Sequence, residues 1–139
     1  MFSNELVDTA EYFSDKNVVL VGYPGVFTPT YTATHIPEYI EAAEEIKGHG
    51  ADEIVAISLN DPFVTSVFAS HLGGKQQINF MADGNGEFTK ALGLEIDRSS
   101  AMLSICNKRF SMFIKANQIV EFKNLKSIWR LSIWISCMI

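Results

Sequence analysis

The stretch Val18-Val19-Leu20-Val21-Gly22-Tyr23-Pro24-Gly25-Val26-Phe27-Thr28-Pro29-Thr30-Tyr31 decides the fold. It opens with a continuous apolar run, which is typical of a strand buried on both faces of a sheet. The Pro-Gly and Thr-Pro pairs that follow end the strand and lead into a region with helical periodicity. A buried strand that turns directly into a helix predicts a β-α step of an α/β protein.

Helix and strand patterns alternate along the rest of the chain. Residues 2–13 carry an apolar stripe and predict a short amphipathic helix that Ser3 or Asn4 caps. Residues 31–48 predict a long helix with one glutamate-rich face, kinked by Pro37.

Beyond this helix the alternation continues into a hairpin. The expected elements are a buried strand over 53–59, a helix to about Ser70 that Asp61 caps, a short strand over 78–81, a brief helix over 87–92, and hairpin strands over 109–115 and 118–122. Helices and strands in this order predict an α/β three-layer sandwich of thioredoxin-like type, with a central mixed sheet flanked by helices. We assign residues 1–121 to a single domain and 122–139 to a divergent apolar tail.

Composition limits the function classes. The chain has 139 residues, 47% of them hydrophobic, and a formal net charge of −5. An acidic chain without a basic cluster disfavours nucleic-acid binding. The start carries no leader pattern, and no apolar run reaches the roughly 18 residues of a membrane span, so neither secretion nor a membrane span is expected, and a membrane partner is disfavoured. We therefore expect an intracellular and most simply cytoplasmic protein, with organelles left open.

The loop after the first buried strand is the best candidate site. It lies at the carboxyl end of a strand and the positive end of a helix, where open α/β sheets bind ligands. Thr28 and Thr30 offer hydroxyls there. The alternative is that Pro-Gly and Thr-Pro only shape the turn and cap the helix.

Several motifs extend this loop into a family pattern. They are Pro24-Gly25-Val26-Phe27-Thr28-Pro29-Thr30, Thr34-His35-Ile36-Pro37, Ser58-Leu59-Asn60-Asp61-Pro62-Phe63-Val64, Met81-Ala82-Asp83-Gly84-Asn85-Gly86-Glu87-Phe88-Thr89 and Arg109-Phe110-Ser111-Met112. Together they resemble the type II peroxiredoxins, the group that contains the atypical two-cysteine enzymes, over roughly residues 17–121. The resemblance implies the same thioredoxin-like fold and thiol-dependent reduction of hydroperoxides.

The resemblance places the reaction at Pro24, Thr28, Arg109 and the position of the peroxidatic cysteine, which here is Tyr31. A phenol with a pKa of about 10 cannot replace a thiolate, because its oxygen has no counterpart of the reversible sulfenic acid step. We expect the Tyr31 ring to enter the peroxide space and stack on Arg109 as a cation–π pair. The resemblance thus implies a pocket without its attacking sulfur.

Three hypotheses on function follow, and whether the chain is an enzyme stays open between them. The first is a degenerate peroxiredoxin that keeps the pocket and has a binding or homodimer-forming role. The second is a thiol peroxidase that uses Cys106 or Cys137 with a thiol reductant protein; Cys106 is most simply a small buried hydrophobe. The third is a partner-docking or membrane-docking module that acts through the basic, Trp-bearing tail.

No cofactor or metal is expected. His35, His49 and His71 do not have metal-ligand spacing, and a hydrogen-bonded structural role is the simplest assignment for His35. Both ends depart from the family pattern, because the family's N-terminal strand hairpin and final helix have no counterpart. A tail produced by altered splicing or reading frame is one explanation of residues 122–139.

Overall fold

The computed structural model describes residues 5–29, 35–73 and 77–124. Its elements are α1 (Thr9–Tyr12), β1 (Asn17–Gly22), α2 (Ile36–Glu41), α3 (Ala43–Gly48), β2 (Glu53–Ser58), α4 (Pro62–Leu72), β3 (Asn79–Ala82), α5 (Glu87–Ala91), β4 (Glu95–Asp97), β5 (Ile105–Asn107), β6 (Phe110–Lys115) and β7 (Gln118–Asn124). A 3₁₀ turn over Ser99–Ala101 lies between β4 and β5.

A mixed five-stranded sheet forms the middle layer, in the order β3-β2-β1-β6-β7. Strand β1 is central, as its apolar run predicted, and pairs parallel to β2 and antiparallel to β6. Gly22 lies opposite Phe110 at the carboxyl end of β1. A Cβ on Gly22 would come within 2.1 Å of Phe110 Cε1, so the ring fills the space that glycine leaves open.

Each face of the sheet packs against helices. On one face Val19, Val21 and Ile54 contribute to a core with residues of α2, α3 and α4. On the other face Val18 and Leu20 share a core with residues next to α1 and from α5. Alternate residues of β1 therefore point to opposite cores, and the predicted thioredoxin-like sandwich is confirmed.

Helix α1 is shorter than predicted. It begins at Thr9, where the Asp8 carboxylate accepts hydrogen bonds from the amides of Ala10 and Glu11. Leu6 is 98% exposed, whereas Phe13, at the other end of the described stripe, is buried in the core. The cap at Asp8 fixes the helix start, and the sequence-based start was wrong for the described residues from 5 onward.

The long helix predicted over residues 31–48 consists of α2 and α3 in its described part. The break falls at Ala42, and Pro37 stands in the first turn of α2. Proline costs little in a first turn, because the amide that it lacks has no partner inside the helix. The described helix is interrupted at Ala42, and the kink at Pro37 stays a prediction.

The sequence did not predict strands β4 and β5, whereas it did predict the hairpin of β6 and β7. Strands β4 and β5 form a separate two-stranded antiparallel sheet. Strands β6 and β7 pair as predicted across a tight turn at Ala116 and Asn117, whose φ angles are 46° and 65°. Strand β7 extends to Asn124, two residues past the expected end.

Candidate functional site

The loop after β1 leaves the sheet at the edge where two other segments also arrive. Strand β2, parallel to β1, ends at the same edge with Ser58, and antiparallel β6 starts there. Because Gly22 pairs with Phe110, Arg109 precedes β6 directly across from Tyr23. The sheet topology alone thus brings the loop at Pro24 and the backbone of Arg109 to one edge.

The loop itself is well packed. Tyr23 is fully buried, and Pro24 and Gly25 are buried behind the half-exposed Thr28. The Thr28 Oγ1 donates a hydrogen bond to the Gly25 carbonyl at 2.9 Å. A hydroxyl has one proton, so the Thr28 Oγ1 can only accept a hydrogen bond from any further group.

His35 and Tyr39 place a neutral aromatic pair close to Arg109. The His35 ring is 2% exposed and meets the Tyr39 ring edge-on, with 5.4 Å between centroids. Burial, together with a smaller effect of the positive charge of Arg109, lowers the pKa of His35 to about 3. His35 is therefore neutral at physiological pH, and Arg109 supplies the positive charge of this cluster.

A buried hydroxyl pair lies beneath this cluster. The Tyr39 hydroxyl and the Ser111 Oγ are 2.7 Å apart, and both residues are buried. Burial raises the pKa of Tyr39 to about 12, against the opposing effects of the Ser111 hydrogen bond and the Arg109 charge. Tyr39 therefore stays a neutral phenol and links α2 to β6.

Three of the four site residues named from the sequence lie in the described part of the chain. The backbone segments that carry them lie at the edge described above: Pro24 and Thr28 are in the loop after β1, and Arg109 directly precedes β6. Tyr31, with its expected stacking on Arg109, lies outside the described residues, as does Cys137.

Cys106 lies in β5, is 4% exposed and donates from Sγ to the Leu103 carbonyl at 3.2 Å. Burial raises the pKa of the Cys106 thiol, and the charge of Arg98 opposes this shift only partly. A raised pKa is the opposite of what a reactive thiol needs. The prediction that Cys106 is a small buried hydrophobe is confirmed.

Asn60 was missed as a site residue. Its side-chain Oδ1 accepts from the Val26 amide at 3.0 Å and from the Ser58 hydroxyl at 3.1 Å. One signal was present in the sequence, because Asn60 follows β2 at the edge where the loop after β1 also lies. Tyr39 and Ser111 offered a weaker signal as polar groups within apolar faces.

Other kinds of site find no support in residues 5–29, 35–73 and 77–124. There the His, Cys, Asp and Glu side chains form no group of three that could hold a metal ion. Within the same ranges, the helices are too short or too polar to cross a bilayer.

A thioredoxin-like sandwich with a proline-threonine loop and an arginine at the carboxyl edge of its central strand defines a redoxin-type protein. Residues 3–133 match the Redoxin family. Peroxiredoxin-2B of Arabidopsis thaliana is 41% identical over 114 residues, which are 80% of this chain and 70% of that protein. Peroxiredoxin-2C of Oryza sativa subsp. japonica is 46% identical over 97 residues, or 70% of this chain and 60% of that protein.

Solved structures agree with the sequence matches. Reduced Prx3 of Vibrio vulnificus in complex with H₂O₂ has a TM-score of 0.86 and 33% identity, with 93% of this chain and 83% of that chain covered. Peroxiredoxin 5 of Alvinella pompejana has a TM-score of 0.82 and 30% identity, with 93% and 82% covered. The chain belongs to the redoxin family and, within it, to the peroxiredoxins.

Proposed function

We propose that this chain binds hydroperoxides at the edge formed by Pro24, Thr28 and Arg109 but does not reduce them, because Tyr31 stands where the family has its peroxidatic cysteine. The observation that supports the proposal is the convergence of the Thr28 loop and Arg109 at one edge of the sheet. The relative from Vibrio vulnificus was solved with H₂O₂ bound.

The polar groups at this edge suit a hydroperoxide. Thr28 presents an acceptor, because its proton is directed to the Gly25 carbonyl. Arg109 presents only donors and a positive charge. A hydroperoxide has an O–H that can donate to Thr28 and oxygens that can accept from Arg109.

The missing step is a sulfur reaction. In thiol peroxidases a thiolate attacks one oxygen of R–O–O–H, the S–O bond forms, the O–O bond breaks, and the alkoxide or hydroxide leaves and takes up a proton. A second thiol then reduces the sulfenic acid, with release of water and formation of a disulfide. Tyr31 supplies no sulfur, so a thiol reductant protein would be a partner only of a chain with a cysteine restored.

The direct test is the Tyr31→Cys variant, with Tyr31→Ser as its matched control. With H₂O₂ and dithiothreitol, we expect turnover from Tyr31→Cys and none above background from wild type or Tyr31→Ser. Adding Arg109→Gln to Tyr31→Cys should remove most of that turnover, since the guanidinium favours the thiolate. Wild-type turnover that is lost in Cys106→Ser or Cys137→Ser would refute the proposal in favour of an active enzyme.

The proposal includes a homodimer, for which the supporting feature is an exposed apolar patch beside the loop. The patch consists of Phe27, Phe63 and Val67, which are 45%, 67% and 62% exposed. Phe63 and Val67 lie two turns and one turn before His71 on α4, and the His71 ring contacts Phe27. Exposed apolar groups that lie together often mark protein interfaces. Phe63→Glu should give a monomer in sedimentation, whereas Met102→Glu, at a residue 95% exposed, should not. An unchanged dimer in Phe63→Glu would place the interface elsewhere.

A further inference from the structure

One peptide group in the pocket loop is held on both sides by side chains. The carbonyl of Gly25 and the amide of Val26 belong to the same planar peptide unit. Thr28 Oγ1 donates to this carbonyl at 2.9 Å, and Asn60 Oδ1 accepts from this amide at 3.0 Å. We refer to Asn60, the Gly25–Val26 peptide and Thr28 as the loop clamp.

The orientation of the Asn60 amide follows from its partners. The Val26 N–H can only donate, so the Asn60 atom that faces it must be the oxygen. The Ser58 hydroxyl donates to the same oxygen at 3.1 Å. Asn60 is thereby fixed from the side of β2 before it contacts the loop.

We infer that Asn60 is a positioning residue for the pocket: through the Gly25–Val26 peptide it holds the Thr28 proton on the Gly25 carbonyl and so makes Thr28 an acceptor toward the ligand. Rotation of the peptide plane would break both contacts of the loop clamp. An amide that donates also makes its own carbonyl a stronger acceptor, so the two hydrogen bonds reinforce each other. The ligand class selected is one with an O–H to donate, and carboxylates and other anions are disfavoured at Thr28.

The backbone of the loop shows why such a clamp is needed. Phe27 has a φ of 57°, which is costly for a bulky side chain. Its ring packs edge-on against Phe68, with 5.1 Å between centroids, and tilted against His71, with 5.4 Å between centroids. These contacts support the Phe27 side chain, and the loop clamp fixes the peptide that precedes Val26.

The first test does not depend on activity. Amide hydrogen exchange of Val26, followed by NMR, is compared in wild type, Asn60→Leu and Asn60→Asp. Loss of the acceptor in Asn60→Leu should speed Val26 exchange roughly fivefold or more, the value expected for one hydrogen bond. In Asn60→Asp the carboxylate still accepts, so protection persists at pH 7, and the Val26 amide shift should titrate near pH 4, the range of an aspartate. The same substitutions at Asn85, an exposed turn residue, are the matched controls.

The second test concerns the ligand and rests on the proposed function. In the Tyr31→Cys background we expect Asn60→Leu to lower kcat/KM for H₂O₂ about tenfold by loss of positioning. Relative to Tyr31→Cys alone at the same pH, Asn60→Asp should retain kcat/KM at pH 7 and lose it as pH falls through the pKa of the new carboxyl. A merely structural role for Asn60 would not produce that pH dependence.

Each of the two tests can fail without deciding the other. Val26 exchange that is unchanged in Asn60→Leu overturns the inference, whatever Tyr31→Cys does. A Tyr31→Cys variant without turnover overturns the proposed function, and Val26 exchange still decides whether Asn60 holds the loop. If Asn60→Leu leaves the turnover of Tyr31→Cys unchanged, the role of Asn60 toward the ligand is overturned.

Discussion

The Tyr39–Ser111 pair allows a quantitative test of how the pocket is built on the core. Tyr39 is 4% exposed and Ser111 is fully buried, and their hydroxyls are 2.7 Å apart. Tyr39→Phe removes only the phenol oxygen and leaves the Ser111 hydroxyl buried without this partner. Ser111→Ala leaves the phenol in the same position. A buried hydroxyl that loses its partner costs about 1–3 kcal/mol.

The double variant removes both hydroxyls and leaves an apolar contact. Its cost should be well below the sum of the single costs, with a coupling energy of about 1–2 kcal/mol in a double-mutant cycle. The assay is urea unfolding at pH 7, with the same slope in every variant. Ser70→Ala combined with Tyr39→Phe is the control and should be additive, since Ser70 is exposed on α4 and bonds the Ser66 carbonyl. Additive costs for Tyr39 and Ser111, within about 0.5 kcal/mol, would refute the pairing.

Three further predictions follow from single residues. Gly22→Ala should destabilise the fold by about 1–3 kcal/mol, because the new Cβ meets Phe110 Cε1 at 2.1 Å; an unchanged urea midpoint would contradict this. His35, with its pKa lowered to about 3 from 6.5, should give no NMR titration between pH 5 and 8. As pH falls, the unfolded chain takes up the His35 proton before the folded protein does. The contribution of His35 to stability is therefore present above about pH 6.5 and declines as pH falls toward 3. An NMR titration midpoint of His35 near 6.5 in the folded protein would refute this prediction. In Cys137→Ser, the remaining thiol of Cys106 should react with Ellman's reagent only on unfolding, and fast native reaction would show an accessible thiol.

Strand β1 and the start of α4 could be predicted from the sequence because residues close together in the chain determine them. The apolar run of β1 is rich in β-branched residues and ends at Gly22, which favours a strand buried on both faces, and it lies in the centre of the sheet. Asp61 followed by Pro62 predicted the start of α4, where the Asp61 carboxylate accepts from the amides of Phe63 and Val64. These signals are local, so no tertiary contact was needed to interpret them.

The remaining features depend on contacts between distant residues. The Asn60–Val26 bond joins residues 34 apart, and the Tyr39–Ser111 bond joins residues 72 apart. Strands β4 and β5 have three residues each, which is too short for an alternating pattern to stand out. The sequence could therefore place Pro24, Thr28 and Arg109 by family resemblance, whereas the groups that hold the loop emerged only from the packed structure.

The most direct measurement of the central claim is the rate at which wild-type protein is oxidised by H₂O₂, with sulfenic acid at each cysteine identified by mass spectrometry. We expect that neither Cys106 nor Cys137 reacts faster than an ordinary free cysteine, and that Arg109→Gln leaves both rates unchanged. Fast stoichiometric oxidation of either thiol that depends on Arg109 would contradict it.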